Sequence, residues 1–228
     1  MNIALILAGG IGKRLGRDIP KQYISVEGKM IITHCLQVVS THPKIDAIQI
    51  VADEQWREKI YRQMPEAALR KFSGFAKPGP SRQHSIINGL ELMMPSAQES
   101  DIIIIHDAVR PFVTKALISA CVEACAQHEG ALPVLQMKDT VYMGEDGCVT
   151  SLLEREKVYS GQAPEAFHLI KYYQANRRLK PDRIEKINGS TEPAVLAGMD
   201  IAMIPGDERN FKITTPLDLE RCKLWIRG

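Results

Sequence analysis

The sequence lacks both a long hydrophobic run and a strong excess of charge of either sign. A membrane-spanning helix needs about 20 consecutive apolar residues, and no run approaches that length. No early window combines a basic start, an apolar stretch and a small-residue cleavage site. The net charge is only +2, so bulk charge does not indicate nucleic-acid binding. We therefore expect neither a membrane nor a nucleic acid among the partners.

Cysteine is also scarce, with five residues at positions 35, 121, 125, 148 and 222. They form no CxxC pair and no zinc-type spacing, and an odd number fits a disulfide framework poorly. Cys121 and Cys125 share a face of a predicted helix, a spacing open to a metal or redox pair. Two small core residues are the simpler interpretation. This usage favours a reducing compartment, and we expect a cytoplasmic protein.

What the sequence does contain is a series of short apolar runs, at residues 3–7, 47–51, 102–105, 131–135 and 201–204. They are nearly continuous and β-branched, as expected of strands covered on both faces. Amphipathic stretches with helical spacing lie between them, at residues 31–39, 81–94 and 113–127, with Thr114 as a predicted N-cap. This alternation predicts an α/β fold, with a Rossmann-like, mostly parallel sheet and helices on both faces. Because no repeat or linker divides the chain, we expect a single domain over residues 1–228.

Residues 138–162 break this rhythm. They contain a Gly-Glu-Asp-Gly turn between short alternating runs, which predicts a β-hairpin arm projecting from the sheet. Such an arm buries little surface by itself, so we expect a partner subunit to cover it.

The segment LAGGIGKRLGRDIPKQY, residues 7–23, places glycines and basic residues directly after the first predicted strand. In an open α/β sheet, ligands bind at the carboxyl ends of the strands. Backbone N–H groups of a glycine turn can approach an anion closely. Lys13, Arg14 and Lys21 would add charged donors for phosphate oxygens.

This loop is neither a P-loop nor a dinucleotide fingerprint, because it lacks both the GK[ST] ending and the last glycine of GxGxxG. A plain glycine turn with solvated basic residues is the alternative. Pro20 favours the phosphate interpretation, because it fixes the backbone directly before Lys21.

Taken together, the motifs resemble the cytidylyltransferase family that converts methylerythritol phosphate or ribitol phosphate to CDP derivatives. The resemblance spans essentially the whole chain. It rests on A-G-G-x-G-x-R-L and P-K-Q-Y in the opening loop, PGPSRQHSIINGL at 78–90, IIHDAVRPFV at 104–113, KDTV at 138–141, GQAPEAF at 161–167 and ERNFKITTPLDL at 208–219.

The resemblance implies that a phosphate oxygen attacks the α-phosphorus of CTP and releases pyrophosphate. Catalysis would then consist of aligning two anions and neutralising charge at phosphorus. Arg14, Lys21 and Lys212 are the implied catalytic cations, although Lys212 alone would pass for a surface lysine. The implied nucleotide-binding residues are Leu7, Ala8, Gly9, Gly10, Gly12, Gly79 and Ser85. Pro80 and Ser81 depart from the usual glycine pair and acidic residues of this region.

Asp107 ends a predicted central strand, where a carboxylate suits Mg²⁺ shared with the triphosphate, or the hydroxyls of the acceptor. A helix N-cap aspartate is the alternative. The resemblance also assigns the acceptor to Arg110 and to Thr140 and Arg155 on the arm, which would complete the site of the other subunit in a homodimer. Without the family, these last two would pass for surface residues.

The acceptor is the least determined part of the reaction. Methylerythritol-type relatives commonly have T-P-Q after the arm and T-D-E/D-A-S before the last strand. This chain has Ala163-Pro164-Glu165, and Asn188 or Ser190 must replace a threonine. Because an unpaired buried polar group costs about 1–3 kcal/mol, these changes favour a different set of acceptor hydroxyls. We expect a linear polyol phosphate such as ribitol 5-phosphate, with methylerythritol phosphate as the alternative.

Two other classes of protein remain open. A nucleotide-sugar glycosyltransferase would usually have a D-x-D metal motif, which this chain lacks. An inactive nucleotide-binding relative would not need Arg14, Lys21, Asp107 and Lys212 together. Pyrophosphate release from CTP distinguishes both classes from the expected enzyme.

Overall fold

The computed structural model describes residues 1–10, 19–179 and 183–227. Within them the strands are β1 (Asn2–Leu7), β2 (Ser25–Val26), β3 (Lys29–Met30), β4 (Ala47–Val51), β5 (Phe72–Ala76), β6 (Ile102–Asp107), β7 (Gly130–Gln136), β8 (Tyr142–Glu145), β9 (Cys148–Leu152), β10 (Tyr159–Gly161), β11 (Glu165–His168) and β12 (Ile201–Pro205). The helices are α1 (Ile31–Ser40), α2 (Glu54–Arg62), α3 (Glu66–Lys71), α4 (Arg82–Met93), α5 (Lys115–Ala124), α6 (Leu169–Arg177), α7 (Glu192–Leu196) and α8 (Pro216–Arg227). Short 3-10 turns cover Lys21–Tyr23, Met94–Ser96, Arg155–Lys157 and Ile184–Lys186.

The central sheet has the order β10-β7-β11-β6-β1-β4-β5, with β12 paired to β7. The pairs β1/β4, β1/β6, β4/β5 and β12/β7 are parallel. Strand β11 is antiparallel to both β6 and β7, and β10 is antiparallel to β7. The predicted mostly parallel α/β sheet is therefore confirmed, with antiparallel strands inserted on one side of β6.

Alternating residues of the central strands fill two separate cores. In β1, Ala4 and Ile6 pack in the core that contains α1 and α5 residues, whereas Leu5 packs with α4 and α6 residues. Strand β6 does the same, with Ile104 on the first side and Ile105 on the second. Because both faces are covered by helices, the middle of each of these strands is apolar on both faces. The two-sided covering predicted from their near-continuous hydrophobicity is confirmed.

The edge strand β12 differs from this pattern. It forms at the predicted place, but Met203 is 61% exposed, and among the described strands only β7 pairs with it. The expectation that this run is covered on both faces is therefore wrong. Its apolar residues instead pair with β7 along the sheet edge.

The predicted helices form, although α5 covers only Lys115–Ala124 of the predicted stretch 113–127. Thr114 caps α5, because its hydroxyl accepts a hydrogen bond from the Leu117 N–H at 3.2 Å. Cys121 and Cys125 are buried in the apolar core, as the simpler interpretation of their spacing predicts. None of the helices in the described ranges combines the length and apolar character that a bilayer crossing requires.

The predicted arm is shorter than its sequence boundaries. Strands β8 and β9 pair as an antiparallel hairpin around Asp146 and Gly147, which both have positive φ. Strand β10, at the end of the predicted arm, instead pairs with β7 in the central sheet. The projecting part therefore ends before Tyr159, because the chain returns to the sheet there.

Candidate active site

A cavity of about 600 Å³ opens at the carboxyl edge of the parallel strands. This is the edge where a ligand is expected in an open α/β sheet. The cavity is lined by Leu7, Gly9, Gly10, Lys21, Gln22, Gly79, Pro80, Ser81, Arg82, Ser85, Asp107, Val109 and Lys212. It thus brings together residues from four of the motifs that carry the family resemblance.

The first wall of the cavity is the turn that leaves β1. Gly9 is required there by close approach, because a Cβ at this position would lie 2.5 Å from the Cβ of Pro78. Ala8 is buried behind the turn rather than in the cavity lining. The predicted residues Gly12, Lys13 and Arg14 lie outside the described residues.

Lys21 enters the cavity from the turn that closes this loop. Pro20 has φ −57° and ψ 138°, and the 3-10 turn Lys21–Tyr23 follows it. Lys21 is buried and lines the cavity. The geometry agrees with the prediction that Pro20 fixes the direction of this lysine.

The segment before α4 forms the opposite wall. Gly79 is closely packed, because a Cβ there would lie 2.4 Å from the Cβ of His84. The Gly79 N–H donates to Ser85 Oγ at 3.0 Å, and Ser85 Oγ donates to the Ser81 carbonyl at 3.0 Å. Ser85, one of the implied nucleotide-binding residues, therefore fixes the backbone of the segment before α4.

Asp107 lies at the centre of a cationic cluster. Its Oδ1 is 3.0 Å from Arg82 Nη2, and its Oδ2 is 3.0 Å from Lys212 Nζ and 3.6 Å from Arg110 Nε. Burial alone would raise the pKa of this carboxyl, but the three positive charges outweigh burial and hold it well below its usual value. Asp107 is consequently an anion that orients three cations.

The residues around Asp107 do not fit a ready-made magnesium site. Both carboxylate oxygens already contact cations, from Arg82 and Lys212. In the part of the chain that the structure describes, no group of three or more histidine, cysteine, aspartate or glutamate residues could hold a metal. Mg²⁺ demands an octahedral set of oxygen ligands. The metal role of Asp107 and the need for Mg²⁺ remain predictions.

Arg82 connects this cluster to a distant part of the chain. Its Nη1 donates to Ser190 Oγ at 2.7 Å, and the Tyr172 hydroxyl donates to the Ser190 carbonyl at 2.7 Å. Ser190 is fully buried, whereas the predicted acceptor residue Asn188 is exposed and donates to the Lys186 carbonyl. Of the two candidates for the missing threonine hydroxyl, the structure brings Ser190 to the site and leaves Asn188 at the surface.

Arg110 has mostly backbone partners. Its Nη1 donates to the Asn210 carbonyl at 2.7 Å, and Asn210 Nδ2 donates to the Ala163 carbonyl at 2.7 Å. These contacts hold the segment before Lys212 beside Asp107. His106 is buried beside them, and burial lowers its pKa to about 4. It is a neutral residue at the end of β6, and its Nε2 lies 3.1 Å from the Arg110 carbonyl.

Glu165 is a buried residue of this region that sequence reasoning did not assign to the site. It begins β11 opposite Ile105 and is only 8% exposed, and its Oε2 has no hydrogen-bond partner among the described residues. Burial raises the pKa of Glu165, although the Arg82 charge opposes that shift. Its replacement of glutamine in T-P-Q was the available signal, but that change alone does not indicate burial.

The arm residues Thr140 and Arg155 do not reach the cavity lining within one chain. Both are exposed, and Arg155 Nη1 donates to the Lys138 carbonyl at 3.1 Å. A role for them in the acceptor site requires a second subunit and remains a prediction.

Comparisons with known proteins show the family of this chain. The family model described as "IspD: 2-C-methyl-D-erythritol 4-phosphate cytidylyltransferase" matches residues 2–228. The chain belongs to this cytidylyltransferase family. Like the other members, it is a nucleotidyltransferase.

Individual relatives cover nearly the whole chain. A 2-C-methyl-D-erythritol 4-phosphate cytidylyltransferase of Geobacter metallireducens is 36% identical, and the match covers 98% of this chain and 97% of the relative. A ribitol-5-phosphate cytidylyltransferase of Lactiplantibacillus plantarum is 29% identical, with coverage of 96% and 95%. The crystal structure of 4-diphosphocytidyl-2C-methyl-D-erythritol synthase from Anaerococcus prevotii superposes with a TM-score of 0.84 at 24% identity, covering 100% of this chain and 96% of that one. That structure supports the fold of this cytidylyltransferase.

Proposed function

We propose that this cytidylyltransferase transfers CMP from CTP to 2-C-methyl-D-erythritol 4-phosphate and releases pyrophosphate, as a step in isoprenoid-precursor synthesis. The observation that supports it most strongly is the convergence of the glycine turn, Lys21 and the Lys212–Asp107–Arg82 cluster in one cavity. This arrangement suits two phosphorylated substrates that repel each other.

In the proposed reaction, an oxygen of the acceptor phosphate forms a bond to the α-phosphorus of CTP. The bond from that phosphorus to the bridging oxygen breaks, and pyrophosphate leaves with the electron pair. The attacking phosphate is already anionic, so no protein base is needed. Lys21 and Lys212, with Arg14, would hold the two anions in line and stabilise the charge on the pentacoordinate phosphorus.

Two observations favour methylerythritol phosphate over the expected ribitol 5-phosphate. The relative named for the methylerythritol acceptor is more similar than the one named for ribitol. The expectation of a different acceptor also rested on a missing hydroxyl. Ser190 supplies a buried hydroxyl that accepts a hydrogen bond from Arg82, which lines the cavity. Because Ser190 positions Arg82 from beside the cavity, the missing threonine no longer argues for a different acceptor.

We also propose that the enzyme works as a homodimer through its arm. The hairpin exposes four large apolar side chains, with Val149 70% and Leu152 65% exposed beside Tyr142 and Met143. Apolar patches of this kind indicate an interaction surface. Thr140 and Arg155 would then hold the acceptor phosphate in the partner's site.

The deciding experiment measures pyrophosphate release with CTP and Mg²⁺, offering methylerythritol 4-phosphate and ribitol 5-phosphate in parallel. A clear preference for methylerythritol 4-phosphate is expected. A preference for ribitol 5-phosphate would refute the proposed acceptor but not the transfer. No release with any polyol phosphate would refute the transfer itself and indicate an inactive relative.

The arm is tested with Arg155→Ala in the same assay. This variant should raise the KM for the acceptor and leave the KM for CTP unchanged. A rise in the KM for CTP alone would contradict the proposed role of the arm.

A further inference from the structure

Gln22 is a buried side chain that joins the end of the opening loop to its beginning. Its Nε2 donates to the Ala8 carbonyl at 2.6 Å and to the Gly10 carbonyl at 2.7 Å. The Tyr23 hydroxyl donates to the same Ala8 carbonyl at 2.7 Å. Gln22 and Tyr23 are only 3% and 2% exposed. Three strong donor contacts thus hold two carbonyl groups of the turn after β1.

These contacts determine which way the peptide groups of the turn face. In a trans peptide, the C=O and the following N–H point in opposite directions. Because Gln22 and Tyr23 hold the Ala8 carbonyl, the Gly9 N–H of the same peptide points away from them. Gly9 itself lines the cavity. Gln22 and Tyr23, here called the clasp, therefore hold the Ala8 carbonyl on the buried side, since neither Ala8 nor Tyr23 lines the cavity, and turn the Gly9 N–H the opposite way.

The Gln22 side chain is chemically suited to holding two backbone carbonyl groups. A glutamine amide presents two N–H donors and can serve two carbonyl oxygens at once. A glutamate of the same shape would place acceptor oxygens against acceptor oxygens. Tyr23 is itself fixed, because its ring stacks on Trp56 with centroids 4.4 Å apart. The clasp is thus anchored on the core side of the loop.

We propose that Gln22 is a positioning residue for the triphosphate: it orients the peptide between Ala8 and Gly9 so that the Gly9 N–H faces the phosphates of CTP. Its neighbour Lys21 supplies charge to the same cavity. Gln22 acts through the backbone, whereas Lys21 acts through its ammonium group. This inference deepens the proposed function and rests on CTP as the nucleotide.

The test compares Gln22→Glu and Gln22→Asn with Tyr23→Phe. Gln22→Glu should raise the KM for CTP about tenfold or more and leave the acceptor KM within about twofold. Gln22→Asn keeps the amide but is too short to reach both carbonyls, so we expect an intermediate effect. Tyr23→Phe removes one of the two donors to Ala8 and should have the smallest effect. Gln63→Ala is the matched control, because Gln63 holds only the Met30 N–H outside the cavity lining.

Direct titration with CTP in the absence of acceptor separates this inference from the choice of acceptor. Weaker CTP binding in both variants, with Gln22→Glu weaker than Gln22→Asn, supports the clasp. This holds even when the acceptor is a different polyol phosphate. Unchanged CTP affinity in both variants would overturn it. A parallel rise of both KM values would also overturn it, because it would show a general structural role. If wild-type protein does not bind CTP, the proposed function itself fails.

Discussion

Ion pairs in the Asp107 cluster and on the projecting arm use the same residue types in opposite environments. The Asp107 side chain is 9% exposed and lies among Arg82, Arg110 and Lys212. On the arm, Lys157 and Glu154 are 2.6 Å apart but 75% and 73% exposed. Water screens the second pair, so it is worth little. In the cluster, each charge depends on its partners, because loss of one leaves the others desolvated. Ion pairs therefore orient the side chains of the candidate site in the Asp107 cluster, whereas the exposed pair on the arm contributes little to stability.

The largest expected effect is on the catalytic rate, when one of the two lysines that line the cavity is removed. Lys212→Ala or Lys21→Ala should lower kcat by about 10²–10³, the usual loss when one group that stabilises transition-state charge is removed. Steady-state kinetics with saturating CTP measures this. The exposed Lys29→Ala provides the control and should retain normal turnover. Near-normal kcat in either cavity variant would refute the charge-stabilisation mechanism.

Neutralising the centre of the cluster should have the largest effect on folding. Asp107→Asn removes the carboxylate that contacts three cations. Because Arg82 and Lys212 are 30% and 34% exposed and water screens them, we expect a loss in the free energy of unfolding below the ~3–5 kcal/mol of a fully buried pair. Because the pKa of Asp107 is depressed in the folded state, its stabilisation is present above the unfolded pKa and is lost as pH falls towards the folded value. Denaturation at several pH values should therefore show the difference between wild type and variant shrinking in acid. A constant difference would argue against an electrostatic origin.

Glu165→Gln should stabilise the fold, whereas Asp107→Asn should destabilise it. The raised pKa of Glu165 means that the folded state disfavours its ionised form, so wild type loses stability as pH rises from the unfolded pKa through the folded one. The variant avoids this cost, and we expect its Tm to exceed that of wild type by about 2–4 °C near pH 8. Near pH 4 the two Tm values should converge. A lower Tm at pH 8 would show that the ionised carboxylate stabilises the fold.

The smallest effect is expected on the arm. Lys157→Ala removes an exposed ion pair and should change the free energy of unfolding by less than about 0.5 kcal/mol. Thermal denaturation at low and high salt checks this. A loss comparable to that of Asp107→Asn would show that the pair is buried, for example against a second subunit.

Local patterns were sufficient to predict much of the fold. The strand at Ile102–Asp107 and the Thr114 cap depend on nearby residues, so periodicity and capping rules locate them. The two-sided burial of β12 was predicted wrongly, because hydrophobicity does not reveal which strand lies at an edge. The end of the arm was misplaced for a similar reason, since pairing of β10 with β7 is a long-range contact.

The sequence predicted which residues belong to the site, but it did not predict which of their side chains contact one another. The family motifs identify Lys21, Lys212 and Asp107 as site residues, and the structure brings all three to one cavity. The Arg82–Ser190 hydrogen bond joins residues that are 108 positions apart. No pattern along the chain specifies which of Asn188 and Ser190 turns inward. That choice depends on the packing of Ser190 under Tyr172.

Lys212 reaches Asp107 from beyond the last described strand of the central sheet. Asn210 is hydrogen-bonded to Arg110 and Ala163, and Lys212 follows two residues later, beyond β12. A chain truncated at residue 205 would contain every described strand of that sheet but would lack the ammonium group that contacts Asp107. The strands of the sheet and one of the cations beside Asp107 are therefore encoded in separate parts of the chain.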